Sequence, residues 1–187
     1  MKKAFAVALV VLGIAFVGGG TYAVDRGNDA KNQVRAELRR QHITTPGDAA
    51  IANAPVRSAA TAEAMAAIID KHAREATGGL SYGEMGRFLT KDRDPVGTSV
   101  EADAVRGADG QPVRNPLRSV AFEASAVRTG LYTSVMAFNV SDLVVGLGLM
   151  TLVLGLALAG VGITIGGLTV PVPARRKRMA GAPVLGT

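Results

Sequence analysis

The chain has 187 residues, of which 48% are hydrophobic and only 4% aromatic, and its formal net charge is +6. It contains no cysteine, which excludes disulfides and acylation of a lipobox thiol. Lys2, Lys3 and the basic residues within 175–178 supply six positive charges at the two ends, whereas the stretch from Asp25 to Arg128 carries 15 basic and 14 acidic residues. A nucleic-acid-binding protein would carry its basic excess on the folded domain, so the charge distribution argues against that class.

The first apolar segment runs from Ala4 to Val24 and follows Lys2 and Lys3. Its 21 residues would form a helix of about 31 Å, which is long enough to cross a bilayer. A basic start, a short apolar centre and a small-residue end also fit a secretory signal that is cleaved after Ala23. Both alternatives place the next segment outside the cytoplasm. We favour a retained span, because Thr21 suits the −3 position of a cleavage site poorly.

A second uncharged segment extends from Leu143 to Leu168, and its length predicts a second transmembrane helix. The basic cluster that follows it predicts a cytoplasmic end and can also contact anionic lipid headgroups. Both termini are therefore expected inside the cytoplasmic membrane, with the central region outside. The residues of the cluster are Arg175, Arg176, Lys177 and Arg178.

The central region, 25–115, is predicted to form a small and mainly helical domain. Asp25–Arg40 is polar and is expected to continue the first helix. Ser58–Ala76 has apolar residues at three- and four-residue spacing, which indicates an amphipathic helix that ends at Gly78 and Gly79. Ser81 and Glu84 have the spacing of a capping box and predict a short helix to about Leu89. The acidic and Gly-rich stretch 90–114 is predicted to be a solvated loop.

A long helix is predicted to begin at Asn115-Pro116, because Asn can cap a helix and Pro suits its first position. Residues 116–140 would form an amphipathic stalk outside the membrane, with Tyr132 and Phe138 as candidate interfacial anchors. Residues 143–168 would be the second span, and 169–187 a basic cytoplasmic tail. The predicted fold is thus an all-α membrane protein with two antiparallel transmembrane helices, 1–24 and 143–168, and a helical external domain.

Candidate functional residues in the membrane segments are mostly small. Gly or Ala residues four apart let helices approach closely, and such pairs favour an intramolecular hairpin, self-association or a partner membrane protein. Asn139 and Asp142 are interpreted as polar residues at the outer membrane interface. The small-residue pairs are Gly155 with Ala159, Gly162 with Gly166, and Ala4 with Ala8.

Chemistry-bearing motifs are scarce. The chain has two histidines, His42 and His72, and an iron site would need both of them together with an acid such as Glu75 or Glu84. No nucleophile elbow, phosphate-binding loop or dinucleotide fingerprint occurs. We therefore predict no cofactor and no catalytic or metal-binding residues.

Three segments carry a resemblance to a known family: Ser58–Phe88, Gly107–Pro116 and Val120–Met150. They include TGGLSYGEMGRF and RTGLYTSVMAFNVSDLVVGLG, and they resemble uncharacterised actinobacterial membrane proteins over roughly residues 35–165. The resemblance implies a two-span protein with an external domain. Some members bear the label "aromatic ring-opening dioxygenase", which implies an iron-dependent activity.

The leading functional hypothesis is a non-enzymatic integral protein of the cytoplasmic membrane. It would act as a scaffold or accessory subunit and contact membrane lipid, other membrane proteins or further copies of itself, but not nucleic acid. Two alternatives stay open. One is the iron-dependent dioxygenase, and the other is an external domain that binds lipid or another ligand in an apolar groove between the Ser58–Ala76 helix and the Leu117–Val135 stalk.

Overall fold

Three α-helices account for most of the chain in the computed structural model, which describes residues 1–167. They are α1 (Lys2–Arg40), α2 (Ala59–Ala76) and α3 (Pro116–Gly166). A single 3-10 turn at Glu101–Asp103 and isolated bridge pairs complete the regular structure of the described part, which contains no strand. The prediction of an all-helical chain is confirmed. The predicted basic cluster of Arg175, Arg176, Lys177 and Arg178 lies outside the described residues, as does Leu168.

Helix α1 is a single helix of 39 residues that passes without a break from the apolar run into the polar segment Asp25–Arg40. At 1.5 Å per residue it is about 58 Å long. The glycines at 18–20 do not end it. A long helix tolerates Gly in its interior when packing supplies stability, since each costs only about 1 kcal/mol of propensity.

Helix α3 is longer still, with 51 residues and a length of about 76 Å. Its start is fixed by Asn115, which is 1% exposed and accepts a hydrogen bond from the Leu117 N–H at 3.1 Å. The Asn115 side-chain amide also donates to the Pro95 carbonyl at 3.0 Å, so one buried residue caps α3 and holds the preceding loop. The helix ends at Gly166, and Gly167 follows with a φ of +65°, a conformation that glycine adopts without strain.

Two of the helices, α1 and α3, are long and apolar enough to cross a membrane. Their most apolar 18-residue windows are only 17% and 11% buried. A core helix of a soluble protein would bury most of such a window, so the exposed apolar surface is compatible with lipid as the surrounding solvent. Large side chains on this surface include Phe5, Ile14, Met150, Val153 and Leu156.

The chain divides into two compact units. The first contains Met1–Gly20 and the described part of α3 from Met150, and the second contains Thr21–Leu149. In the second unit, the end of α1, the middle of α2 and the first half of α3 share a hydrophobic core. Its buried members are Leu38, Val56, Ala62, Ala66, Leu131 and Phe138.

The core placement corrects one prediction for α3. Phe138 is 3% exposed within this core, so it is not an interfacial anchor. Tyr132, the other candidate, is 44% exposed. The two residues differ because Phe138 lies seven residues after Leu131, on the stripe of α3 that faces the core.

The loop that joins α1 to α2 is held by internal hydrogen bonds. Thr45 is 1% exposed, and its hydroxyl donates to the Ile51 carbonyl at 2.5 Å and accepts from the Ala54 N–H at 2.9 Å. The backbone adds a bond from the Val56 N–H to the Ile43 carbonyl at 2.9 Å. These contacts close the loop on itself and place Val56 in the core. Ser58 then caps α2, with its side chain accepting from the Thr61 N–H, which confirms the predicted Ser58–Ala76 helix.

The segment after α2 differs from its prediction. No helix forms at Ser81–Leu89, although the capping contact does, since the Glu84 carboxylate accepts from the Ser81 N–H at 2.8 Å and from its hydroxyl at 2.6 Å. These bonds hold the pKa of Glu84 below its usual value. The chain instead turns away, and the Gly86 N–H donates to the Val96 carbonyl at 2.6 Å. At Gly86 any β-carbon would lie 2.3 Å from the Thr98 backbone, so the close approach requires glycine.

The stretch 90–114 is a loop without helix or strand beyond its 3-10 turn, but it is internally bonded. Phe88 pairs with both Thr98 and Arg114. The Leu89 N–H donates to the Val113 carbonyl, and the Leu89 carbonyl accepts from the Val105 N–H. The Asn115 N–H donates to the Arg87 carbonyl at 2.9 Å. This network fixes 85–115 as a platform beside the start of α3.

Candidate functional site

A repeat of small buried residues runs along each long helix. Alanine or glycine recurs every seven residues on α1, and serine or glycine does so on α3; this is the repeat of helices that pack along their length. All of these residues are buried. They are Ala6, Gly13, Gly20 and Gly27 on α1, and Ser141, Gly148, Gly155 and Gly162 on α3.

Within the first unit the two helices approach backbone to backbone. A β-carbon on Gly155 would lie 2.7 Å from the Gly13 carbonyl oxygen and 2.7 Å from the Val17 nitrogen. A β-carbon on Gly162 would lie 2.8 Å from the Ala6 carbonyl oxygen. We call the contact made by Ala6, Gly13, Gly155 and Gly162 the glycine seam. Only residues without side-chain bulk allow this separation.

Within the second unit α1 and α3 are also close. A β-carbon on Gly27 would meet Val145 Cγ2 at 2.6 Å and the Ser141 carbonyl at 3.0 Å. One turn further along α1, the Lys31 ammonium forms an ion pair with the Asp142 carboxylate. The Lys31 side chain is 20% exposed and the Asp142 side chain is 60% exposed. This partner of Asp142 was not predicted from the sequence, because the pair joins residues more than 100 positions apart.

The other predicted packing residues have different placements. Ala159 contacts Gly13 from the same side as Gly155, and Gly166 is half-buried. Ala4 and Ala8 are exposed, and they lie on the face of α1 opposite Gly13. Asn139 is exposed on α3.

A groove of about 700 Å³ lies in the second unit, at the start of α3. Its walls come from the 85–115 platform and the first two turns of α3, so residues distant in sequence meet there. The volume is in the range of small-molecule sites. The lining residues are Tyr82, Arg87, Phe88, Arg114, Asn115, Arg118, Ser119, Phe122 and Glu123. We call it the arginine groove.

Arg118 is the most constrained cation of the arginine groove. Its Nη1 donates to the Met85 carbonyl at 2.5 Å, and its guanidinium lies over the Tyr82 ring at 4.0 Å from the centroid. The Tyr82 ring in turn packs against Phe122 at 5.4 Å between centroids. A guanidinium held by a carbonyl and a ring keeps its charge uncompensated, since neither partner is an acid.

Arg87 and Arg114 complete the basic lining. Both are exposed, and within residues 1–167 neither forms an ion pair. Both side chains line the arginine groove, and the backbone pairing of Phe88 with Arg114 brings the two segments that carry them side by side. Three arginines against one glutamate leave the lining with a formal charge of +2 (3 − 1).

The arginine groove was not predicted from the sequence. Arg87, Arg114 and Arg118 are spread over 32 positions and follow no motif. The apolar groove that was expected between α2 and α3 corresponds to a cleft of about 50 Å³. It is crossed by an ion pair between Arg128 and Asp70 at 2.5 Å, and Asp70 also binds Arg74 at 3.1 Å.

The two histidines are placed apart from the arginine groove. His72 Nε2 lies 2.9 Å from the Asp48 carboxylate, which also binds Lys71 at 3.3 Å. The His72 hydrogen bond is the largest cause that holds the pKa of Asp48 below its usual value. Among the described residues no group of three or more His, Cys, Asp or Glu side chains is arranged to hold a metal ion.

The class of protein that the fold defines is an all-helical chain with two apolar helices able to span a membrane. Comparisons with protein-family models, with characterised proteins and with solved structures give no match. The features that bear on function are the glycine seam, the exposed apolar helices and the arginine groove.

Proposed function

We propose that the chain is a cytoplasmic-membrane protein with two antiparallel spans and an external domain. The opposite direction of the spans is supported by two contacts in the first unit: Ala6 is close to Gly162, whereas Gly13, later on α1, is close to Gly155, earlier on α3. The external position of the central region is supported by its mixed and nearly balanced charges. In this proposal the membrane contains the apolar parts of α1 and α3, and Lys31 with Asp142 lies at its outer boundary.

The first helix is retained rather than cleaved in this proposal. Gly13 packs against Gly155 and Ala159, and cleavage after Ala23 would remove that entire contact. A lone second span would then expose its buried glycines to lipid, losing the close packing that holds membrane helices together.

The proposed role is that of a scaffold or accessory subunit, and one observation carries it. Helix α1 has a second small-residue face, on the side opposite the glycine seam, which no described residue covers. Its small members are Ala4, Ala8, Ala15 and Gly19, all exposed, and the exposed Val11 lies between Ala8 and Ala15 on the same face. A β-carbon on Gly19 would meet nothing within 4 Å. Lipid tails gain little from small residues, whereas a neighbouring helix gains close packing.

Photo-cross-linking in native membranes tests this role. A photoreactive residue at Ala8 should trap a second copy or another membrane protein. We expect Gly19→Leu to lower the trapped yield, because overpacking costs about 1–3 kcal/mol, roughly fivefold or more in association. The same substitution should not lower the stability of the monomer, because leucine favours helix over glycine.

Val7→Leu is the matched control, since Val7 is exposed on a flank of the same helix. It should leave the trapped yield as in the parent chain. A chain that remains monomeric and traps no protein from Ala8 would contradict the scaffold proposal.

The resemblance to actinobacterial two-span membrane proteins agrees with this architecture and is proposed on the same basis. The dioxygenase label of some members is not carried over as a proposal for this chain. His72 is engaged by Asp48, and the described residues supply no candidate set of iron ligands.

A further inference from the structure

We propose that the arginine groove binds a small soluble ligand that carries a carboxylate or phosphate on a flat apolar body. This inference goes beyond the scaffold role, and only its choice of a soluble source rests on the membrane position proposed above. It starts from the charge of the lining, where three guanidinium groups face one carboxylate. Guanidinium groups bind carboxylate and phosphate through paired hydrogen bonds, so an oxyanion is the chemical group that this lining selects.

The arginines of the groove contrast with three other arginines of the second unit, each of which pairs with an acid. Arg74 and Arg128 are paired with Asp70, and Arg40 is paired with Glu37. By contrast, Arg87, Arg114 and Arg118 form no ion pair within residues 1–167, although they converge on one concavity. Three like charges gathered around a single carboxylate repel one another, and a bound anion would relieve that repulsion.

The aromatic side chains define the rest of the ligand. Tyr82, Phe88 and Phe122 line the same space, and Tyr82 packs on Phe122 at 5.4 Å. Flat apolar groups stack on such rings, whereas an inorganic ion would leave the rings exposed to solvent. The volume of about 700 Å³ also exceeds what an inorganic ion fills.

The position of the groove favours a soluble source over a lipid headgroup. Arg118 and Asp142 lie 24 residues apart on one continuous helix, a separation of about 36 Å. If the membrane surface lies near Asp142, as proposed above, headgroups of that leaflet cannot reach the groove. The oxyanion must then come from the surrounding solution.

Calorimetry on the full chain in phosphatidylcholine nanodiscs tests the proposal. The probes are 1-naphthyl phosphate and 1-naphthoate, with 1-naphthol as the uncharged control and inorganic phosphate as the control without an apolar body. We expect both anionic naphthyl probes to bind more tightly than either control. Equal or absent binding of all four probes would overturn the proposal.

Two exposed arginines provide the variants. Arg87→Gln and Arg114→Gln should each weaken the better probe roughly tenfold or more, the effect of losing a charge-assisted hydrogen bond. Within residues 1–167 neither side chain forms an ion pair or a side-chain hydrogen bond, so both variants should fold as the parent does. Arg57→Gln, at an exposed arginine outside the groove, should leave affinity unchanged. Affinities that fall equally in all three variants would reduce the effect to net charge and overturn the site.

A lipid-exchange experiment distinguishes a soluble ligand from a lipid headgroup as the source of the phosphate. Exchanging part of the phosphatidylcholine for phosphatidylglycerol should not change the affinity of the naphthyl probe. Competition by phosphatidylglycerol that disappears in Arg87→Gln would overturn the soluble source and assign the groove to a lipid headgroup.

Discussion

Gly155→Leu is expected to abolish the packing of α1 on α3 in the first unit and to lower the apparent melting temperature of the full chain strongly. Even the β-carbon alone would lie 2.7 Å from the Gly13 carbonyl and 2.9 Å from Phe16 Cβ. Backbone atoms of two helices cannot move aside as a flexible side chain can. The cost should therefore exceed the roughly 1–3 kcal/mol of ordinary overpacking. The measurement is thermal unfolding in nanodiscs, followed by circular dichroism.

Gly160→Leu is the matched control, because it makes the same chemical change five residues further along the same helix. A β-carbon at Gly160 meets nothing within 4 Å, and the residue is exposed. Leucine also favours helix over glycine by about 1 kcal/mol. The control should melt at or above the temperature of the parent. Similar losses in the two variants would mean that α1 and α3 do not meet at Gly155.

Phe138→Ala is expected to cost about 3–5 kcal/mol, the usual range for removing a buried phenylalanine. The ring is 3% exposed and packs in the core of the second unit with Leu38 and Leu131. For a chain of this size the loss corresponds to a fall of the melting temperature on the order of 10 °C. The measurement is again thermal unfolding of the full chain.

Met136→Ala is the control for Phe138→Ala, since it removes an exposed apolar side chain rather than one packed in the core. Met136 is two residues from Phe138 on the same helix and is 62% exposed. Its replacement should change stability by no more than about 0.5 kcal/mol. If Phe138→Ala were as mild as Met136→Ala, Phe138 would face lipid or water as an interfacial anchor, and the core described here would be wrong.

The helices were predictable because their signals are local. An uncharged run of 20 or more residues identifies a potential span, and the buried Asn115 followed by Pro116 marks the start of α3 in both sequence and structure. Ser58 and the spacing of apolar residues after it likewise located α2. In each case the deciding contacts lie within four residues of one another.

The contacts between elements were not predictable in the same way. The small-residue pattern was interpreted at four-residue spacing, whereas the buried residues repeat every seven, as Gly13 with Gly20 and Gly155 with Gly162 show. The arginine groove depends on backbone bonds that connect Arg87 to Asn115, and no periodicity reports such bonds. Ser81 and Glu84 make their capping contact without a helix, because Gly86 turns the chain toward Thr98 instead.

Single-cysteine labelling on intact cells tests the central claim, that α1 and α3 cross the membrane and hold the central region outside. The chain has no cysteine of its own, so each introduced thiol reports one position. With a membrane-impermeant maleimide, Glu63→Cys should react on intact cells, and Lys3→Cys only after permeabilisation. Leu154→Cys, exposed on the apolar surface of α3, should stay unlabelled in both conditions. Labelling of Lys3→Cys or Leu154→Cys on intact cells, or protection of Glu63→Cys, would contradict the account.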